Sequence, residues 1–527
     1  MAVIVMNIPS ALGEEERSVV NAAIKRIGLR PQDVTSGCIY KSSLDARKRE
    51  NIHFVNSVML CLRSSDKEKW VASKHRDVRY FDEPVIAPKI SCEKREGRTV
   101  IAGFGPAGIF CALLLSEYGY KPIVLERGAD VDSRVKAVNA FWNGAELDTE
   151  TNVQFGEGGA GTFSDGKLTT RIGDPLCRYV LTRLCEFGAP PEILRTAKPH
   201  IGTDKLRAVV RAMRQKIIEN GGEVRFLTPL RSICVSDGRV TKVITSHGEI
   251  NPSALVLAIG HSARDTFRML LDSGVTIQPK PFSVGARIEH SQRRVNESLY
   301  GIYADSPLLP QGEYQLSHRH PDGRAVYTFC MCPGGYVVAS SSERSSIVTN
   351  GMSEYSRDSE NANSALVVSV SPSDYGNNPM DGVEFASGLE KKAYMMSGSY
   401  MAPASTVGAF LGESSSVSVL PSYKPGVADV DLNKLFPKFV SDMMKEGIRR
   451  FSRELGCFGD MGAYLTAPET RTSSPVRILR GERFNAVGID NLYPCGEGAG
   501  YAGGIVSAAV DGLRTALEIM KSYSPLD

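Results

Sequence analysis

Apolar positions along this chain change their rhythm from one region to the next. Near the start, Val3–Ile8 reads as a strand. From Glu14 to Ile27 the apolar residues Val19, Val20, Ala23, Ile24 and Ile27 recur at helical spacing. Glu14, Glu15 and Glu16 stand where a helix N-terminus favours negative charge. From Asn51 to Leu62 an alternation around His53, Val55, Ser57, Met59 and Cys61 predicts a half-buried strand. Residues 1–95 are therefore expected to form a small α+β module. Pro84, Pro88 and the charged run from Glu93 to Arg98 mark a linker.

Directly afterwards the pattern becomes strand, glycine turn, helix, strand: Thr99–Ala102, then a helix from about Gly108 to Tyr118, then Pro122–Glu126. Asp204 to Asn220 has helical spacing and stops at Gly221-Gly222. Val224–Leu227, Arg231–Val235, Val240–Thr245 and Ala254–Ile259 read as strands. Residues 280–480 mix strand-like runs with Gly, Ser and Pro-rich loops and are expected to form a mixed α/β substrate or cap domain. Residues 481–527 return to glycine-rich sequence followed by a helix from about Gly504 to Met520. The predicted fold class is α/β: a Rossmann-type nucleotide-binding domain over 96–279 completed by 481–527, with the cap and the N-terminal module added to it.

A length of 527 residues exceeds what one core supports, which agrees with several domains. The N-terminus lacks a basic leader region. The most apolar later stretch, Ile109 to Leu115, is far short of the ~20 residues that span a bilayer. A cytoplasmic chain without a membrane span is expected. The 11 cysteines are scattered, which suits reduced thiols, and no zinc-type spacing predicts a metal. The net charge of +3 conceals an asymmetry: residues 1–98 hold 18 Lys+Arg against 13 Asp+Glu.

The candidate chemistry lies in the glycine-rich segments. In Gly103-Phe104-Gly105-Pro106-Ala107-Gly108, Gly103 permits a tight turn, Gly105 lets a pyrophosphate approach the backbone, and Gly108 lets helix and strand pack closely. Glu126 follows at the end of the next strand, placed to bind ribose hydroxyls. The second segment, Gln154 to Leu168, exposes successive amides around Gly158, Gly159, Gly161 and Thr162, with Lys167 at its end. The third is the strand ending Ala258-Ile259-Gly260. The fourth runs from Asn491 to Ile505 and contains Gly496, Glu497, Gly503, Gly504 and Ile505.

The GxGPAG turn followed by Leu125-Glu126-Arg127-Gly128 resembles the FAD-binding start of glutathione-reductase-type flavoproteins. All four segments occur in that superfamily's order. The likeness extends to a bacterial group of uncharacterised FAD-dependent dehydrogenases, through Phe329-Cys330-Met331-Cys332-Pro333-Gly334-Gly335 and the run from Glu469 to Arg477. The resemblance implies FAD, with Arg127 beside the ribose-binding acid. It also implies a second segment against pyrophosphate and flavin, and a helix N-terminus after Gly504 pointing at the flavin. Relatives often carry Asp where this chain has Glu497.

Catalytic candidates are Cys330 and Cys332, as flavin partners or nucleophiles, and Arg471, Ser473 and Ser474, as donors to an anionic substrate group or a flavin oxygen. Against a redox role, cysteines two apart on a regular strand point the same way and bridge poorly. Packing is the alternative for them, and a solvated turn for the Arg471 segment. His318 and His320 offer a proton-transfer group on a loop. No second GxGxxG stands in residues 173–483, so NAD(P)H enters only as a candidate transient donor. The expected activity is FAD-dependent oxidation or reduction of a small molecule. The alternatives are a macromolecular partner, RNA or protein, recruited through Lys41, Arg47, Lys48 and Arg49, and a non-catalytic flavin sensor. Nucleic acid is the weaker partner reading, because the basic excess is modest and few aromatics interleave with it.

Overall fold

The computed structural model describes residues 2–83 and 85–526. Pro84, assigned to the linker, lies outside the described residues, as do Met1 and Asp527. The N-terminal module runs β1 (Ala2–Ser10), α1 (Glu16–Arg26), β2 (Val34–Asp45), β3 (His53–Leu62), α2 (Ser65–Lys74), β4 (Val78–Phe81). Its antiparallel sheet has the order β2-β3-β1-β4, the split βαβ arrangement of ferredoxin-like folds. Val3, Val5, Val19, Ala23, Val58 and Leu60 belong to its own core. On β3 that core takes Asn56, Val58, Leu60 and Leu62, while the alternate face read from the sequence is half-buried. The free edge of β2 is covered: Ser42 N donates to Arg195 O at 2.7 Å and Ala197 N donates to Ser42 O at 2.9 Å. Covering an edge removes a template for unwanted strand pairing.

The segment after residue 84 is held rather than loose. Ser91 N donates to Met520 O at 2.9 Å, Ser524 N donates to Glu93 O at 2.7 Å, and the Arg95 guanidinium lies 5.1 Å from the Tyr523 ring centroid. Then follow β5 (Arg98–Ala102), α3 (Pro106–Glu117), β6 (Ile123–Leu125), α4 (Val131–Trp142), α5 (Leu176–Glu186), α6 (Thr203–Glu219), β7 (Glu223–Arg225), a three-stranded meander β8 (Leu230–Ser236), β9 (Arg239–Thr245), β10 (Gly248–Ile250), and β11 (Pro252–Leu257).

Next come α7 (Arg264–Asp272) and β12 (Ile277–Pro279), and the cap adds β13 (Phe282–Ser291), α8 (Gln292–Tyr300), β14 (Ser317–Arg319), β15 (Ala325–Cys332), β16 (Tyr336–Ala339), β17 (Thr349–Met352), β18 (Asn361–Val370), α9 (Pro372–Tyr375), α10 (Asp381–Ser397), β19 (Ala402–Thr406), α11 (Val407–Leu411), β20 (Val427–Asp429), α12 (Lys438–Glu454) and β21 (Tyr464–Glu469). The chain returns through β22 (Val476–Ile478), β23 (Leu492–Pro494) and α13 (Ile505–Ser522).

Five short strands form an all-parallel sheet, β23-β11-β5-β6-β7, so the first and last parts of the nucleotide-binding domain share one sheet. Parallel strands are covered on both faces, which is why they read as unbroken apolar runs. Here one face carries the core around α3, α6 and α13, and the other carries a core around β8, β9 and α7. Pro106 opens α3 with a preset φ. The cap is built on a seven-stranded sheet, β14-β15-β18-β13-β21-β19-β20, in which only β19 and β20 pair parallel. The strand β12 pairs with β22 and ties the two ends of the cap together.

The sequence pattern missed the two 17-residue helices of the cap, α10 and α12. Gly382, Ser387 and Gly388 dilute the helical signal of α10, and Gly447 interrupts that of α12. Gly447 is required by packing, since a Cβ there would lie 2.7 Å from a Val326 methyl. No helix among the described residues is long and apolar enough to cross a membrane.

The helices α13 and α3 meet at backbone distance. A Cβ at Gly512 would lie 2.1 Å from the Ala107 carbonyl oxygen. Gly512→Ala is therefore expected to destabilise the protein by about 1–3 kcal/mol despite the better helix propensity of alanine. Thermal unfolding checks this, and an unchanged midpoint would refute the packing assignment.

Candidate active site

Four glycine-rich loops converge at the carboxyl ends of the parallel strands. The Gly103–Gly108 turn leaves β5 and opens α3. Gly103 has φ +101°, and a Cβ there would stand 2.2 Å from Ala258 O, which brings the loop after β11 onto the turn. The second loop lies against the first: Gly158 N donates to Phe104 O at 2.8 Å, and a Cβ on Gly159 would be 3.1 Å from the Gly105 Cα. The fourth loop docks on both strand ends. A Cβ on Gly496 would be 2.8 Å from the Ala107 Cβ, and one on Gly498 would be 2.5 Å from Gly260 O. Next to these contacts, Gly260, Gly503 and Gly504 face open space. Ile505 begins α13 there and packs beside Gly161.

Two buried charges set this geometry. Glu126 stands at the end of β6, and its carboxylate accepts from Phe104 N (2.8 Å), Gly128 N (2.9 Å) and Gly156 N (2.9 Å). It thus joins the first and second loops, and a carboxylate has about four acceptor sites, so capacity for a ribose hydroxyl remains. Arg134 of α4 is fully buried. It donates to the carbonyls of Asn152, Val153, Gly156, Glu157 and Gly159 and to Thr162 Oγ1, at 2.6–3.2 Å. Burial pulls this guanidinium down to about 9, against the pull of Glu126. Sequence reasoning missed Arg134. Its neighbours Asp132, Ser133 and Lys136 make α4 look like a solvated helix, and the partners are backbone atoms that leave no mark in sequence.

The other candidates are placed as follows. Arg127 is held by Glu150 and Asp265 and lies 4.3 Å from the Phe155 ring centroid, so it fastens the second loop from outside. Lys167 bridges Asp165 (3.3 Å) and Glu313 (2.9 Å). Arg357 also pairs with Asp165, at 2.5 Å. Burial opposes the Asp165 charge, but Lys167 and Arg357 hold its pKa below the ordinary value. Arg471 does not present a free cation. It donates to Glu390 and Ser342, and Glu390 also takes a bidentate pair from Arg264. Burial opposes the Glu390 charge, yet the two arginines keep it at about 2. Ser474 Oγ donates to Val476 O and Gly498 O, fixing the loop after β21, while Ser473 stays half-buried. His318 bonds Glu446 on the cap surface. Arg47 is paired with Asp45 and Arg49 reaches Ser298 O at 2.5 Å, so two of the four basic residues of the module have partners within the chain.

Cys330 and Cys332 belong to the convergence. The β15–β18 register breaks between Phe329 and Cys332, and Cys330 adopts φ +45°. This bulge removes the regular-strand geometry on which the objection to their pairing rested. Arg287, fully buried and forked onto Glu469 at 2.9 and 3.0 Å, also holds Cys330 O at 2.8 Å. The neighbouring Cys332 side chain lowers the Cys330 thiol, with Arg287 and Lys167 adding to the effect.

The residues fit FAD. The first N–H groups of α3 and α13 have no intrahelical partners and point their positive ends at the mouth of the cradle. Glu497 faces the same space without a side-chain hydrogen bond among the described residues, and burial pushes its carboxyl up to about 7, against the pull of Lys280. An unpartnered acid in a desolvated place is what a missing hydrogen-bonding ligand leaves behind.

Fold and cradle together describe a nucleotide-binding protein of mixed α/β architecture whose cradle fits FAD. Residues 281–472 match the family described as FAD-dependent protein, C-terminal domain-like. The chain is 44% identical over 532 residues to an uncharacterized protein of Clostridium beijerinckii, covering 99% of each, and it belongs to the same family as that protein. Among solved structures, it is similar to the glycerol-3-phosphate dehydrogenase of Bacillus halodurans complexed with FAD (11% identity, 82% of this chain and 66% of that chain, TM-score 0.35). It is also similar to NikD, an unusual amino acid oxidase essential for nikkomycin biosynthesis (13% identity, 82% and 95%, TM-score 0.34).

Arg134→Met should leave five carbonyls without their donor, cost about 3 kcal/mol or more, and lower the FAD content of purified protein. Absorbance per chain and thermal unfolding check both. Glu497 holds its proton more tightly folded than unfolded. Its contribution to stability is therefore complete below its ordinary value of 4.5 and fades as pH rises to about 7. In flavin-stripped protein, Glu497→Gln should flatten the fall in stability across that window by about 2 kcal/mol. Urea midpoints measured at several pH values would show it, and a slope equal to wild type would reject the assignment.

Proposed function

We propose that this chain is a cytoplasmic FAD-dependent reductase or dehydrogenase that exchanges a hydride equivalent with a small molecule at the mouth of the cradle, with NAD(P)H as a transient electron donor. The observation that carries this is the meeting of Cys330, Glu497 and Lys280, all partly accessible, beside open Gly260, Gly503 and Gly504. The glutathione-reductase-type order of the four loops supports the same assignment. The glycine turn, Glu126 and the N-terminus of α3 would hold the nucleotide half of FAD, and the loop from Gly496 to Ile505 the flavin half. FAD supplies two-electron redox chemistry when bound.

The chain's own groups do the rest. Glu497, raised to about 7, can hold or release a proton near neutral pH, the range in which a general acid or base works best. Lys280, whose pKa burial and then Arg477 lower, presents a cation that parts with its proton more readily than usual. The buried Arg264–Glu390–Arg471 cluster positions the loop after β21 and leaves the substrate to be met by these two groups and Cys330.

Anaerobic mixing of the yellow protein with NADPH and then NADH tests the proposal. Rapid bleaching of the visible flavin absorption is expected with one of them, and bleaching by neither would overturn the donor assignment. Gly105→Trp should abolish flavin retention, because the nearest atom to a Cβ there is the Gly159 Cα at 3.7 Å and an indole would fill the pyrophosphate approach. A variant that purifies fully yellow would refute the placement of the cofactor.

A further inference from the structure

We propose that Cys330 and Cys332 form a reversible dithiol–disulfide couple, and that the substrate class of this site is a small-molecule disulfide entering beside Phe329. The inference rests on the reductase reading above for its turnover and on independent geometry for the couple itself.

The bulge is the first observation. On a regular strand, side chains two apart run parallel and the sulfurs stay separated. Here the ladder to β18 skips between Phe329 and Cys332, and Cys330 sits at φ +45°, a conformation a non-glycine residue adopts only when its surroundings impose it. The imposing contacts are on both sides. Arg287 Nη1 holds Cys330 O at 2.8 Å. Directly after Pro333, Gly334 has φ +47°, its amide donates to Gln292 Oε1 at 2.7 Å, and a Cβ there would lie 1.8 Å from Arg357 O. The segment is thereby folded back on itself, and the Cys332 thiol donates to Cys330 O at 3.3 Å.

The second observation is the asymmetry of the pair. Cys332 is fully buried, while Cys330 is partly accessible and flanked by Phe329, which is 40% exposed. Burial raises the thiols of Cys38, Cys111, Cys177, Cys185, Cys457 and Cys495. Cys330 moves the other way, through the neighbouring Cys332 side chain and then through Arg287 and Lys167, while Cys332 moves up. An accessible thiolate beside a buried, protonated partner is the arrangement of an attacking and a resolving cysteine.

The step balances within this pair. The Cys330 thiolate attacks one sulfur of R–S–S–R′, that S–S bond breaks, and R′S⁻ leaves and takes a proton. Cys332 gives up its proton, its sulfur attacks Cys330 Sγ, and RS⁻ departs and is protonated. One substrate disulfide becomes two thiols, the Cys330–Cys332 bond forms, and two electrons pass from the chain to the substrate. The couple returns to the dithiol by taking two electrons and two protons from reduced flavin.

The test uses yellow holoprotein in a Cys92→Ser, Cys234→Ser background, which removes the exposed thiols, with the aromatic disulfide DTNB as probe. Peptide mapping should find a Cys330–Cys332 disulfide, with both halves of the reagent released. Cys332→Ser should release one half and keep the other as a mixed disulfide on Cys330, and Cys330→Ser should abolish release from this site. Alkylation of Cys330 by iodoacetamide should have its pH midpoint below that of Cys92 in the parent protein. After anaerobic reduction by a nicotinamide, protein carrying the disulfide should regain its thiols as the flavin absorption returns. Yellow protein in which both cysteines remain free, or in which wild-type Cys330 retains the mixed disulfide, overturns this proposal and leaves the flavin reading standing. Colourless protein that still forms the internal disulfide overturns the flavin reading and leaves the couple standing.

Discussion

One buried guanidinium organises the cofactor cradle. Arg134 lies in the interior without an ion-pair contact among the described residues and faces five carbonyls and a hydroxyl in and just before the second glycine loop. A buried cation is tolerable only when its donors are satisfied, so the loop must adopt the one path that supplies those carbonyls. That path brings Gly158 and Gly159 onto the first turn, where Glu126 gathers amides from both loops. Cation and anion thus serve complementary halves of the same backbone, the one taking carbonyls and the other amides.

The cap follows a related rule with side chains instead of backbone. Arg264 and Arg471 share Glu390, Arg287 forks onto Glu469, and Lys167 with Arg357 surrounds Asp165. Buried pairs of this kind add little net stability, because desolvation offsets attraction. Their value lies in exclusivity, since each charge has only one place in the fold where it is paired. The loop after β21 carries Arg471, the end of β21 carries Glu469 and the end of the second glycine loop carries Asp165, so each is tied to the element that bears its partner, and Arg287 extends its tie to the β15 bulge through Cys330 O.

What was legible in the sequence follows from the range of the interactions. The glycine turn, Glu126 and the strand–turn–helix pattern are local constraints, and the elements around them appear within a few residues of their expected limits. Helix α12 was hidden because packing against β15 demands glycine at 447, and α10 because Gly382 and Gly388 dilute its helical signal. Arg471 was legible as an important cation but not as a paired one, since Glu390 lies on another element far along the chain. Cysteines two apart bridge poorly on a regular strand, and nothing in Phe329-Cys330-Met331-Cys332 announces the skipped register beside the Arg287 contact. Arg134 left no trace at all, because its partners are peptide groups common to every residue.

The strand order β23-β11-β5 carries a consequence for biogenesis. The turn at Gly103 is synthesised early, yet the loop from Gly496 to Gly504 and the helix behind it follow only after the whole cap has been made. Until then the apolar side of α3 that α13 covers has no neighbour, and the dinucleotide half of the cradle has no lid. The four loops of the cradle accordingly come together only after the cap has been synthesised. A ribosome that stalls within the cap releases a product that cannot retain the cofactor, and such a product exposes the sticky surface that quality-control proteases recognise.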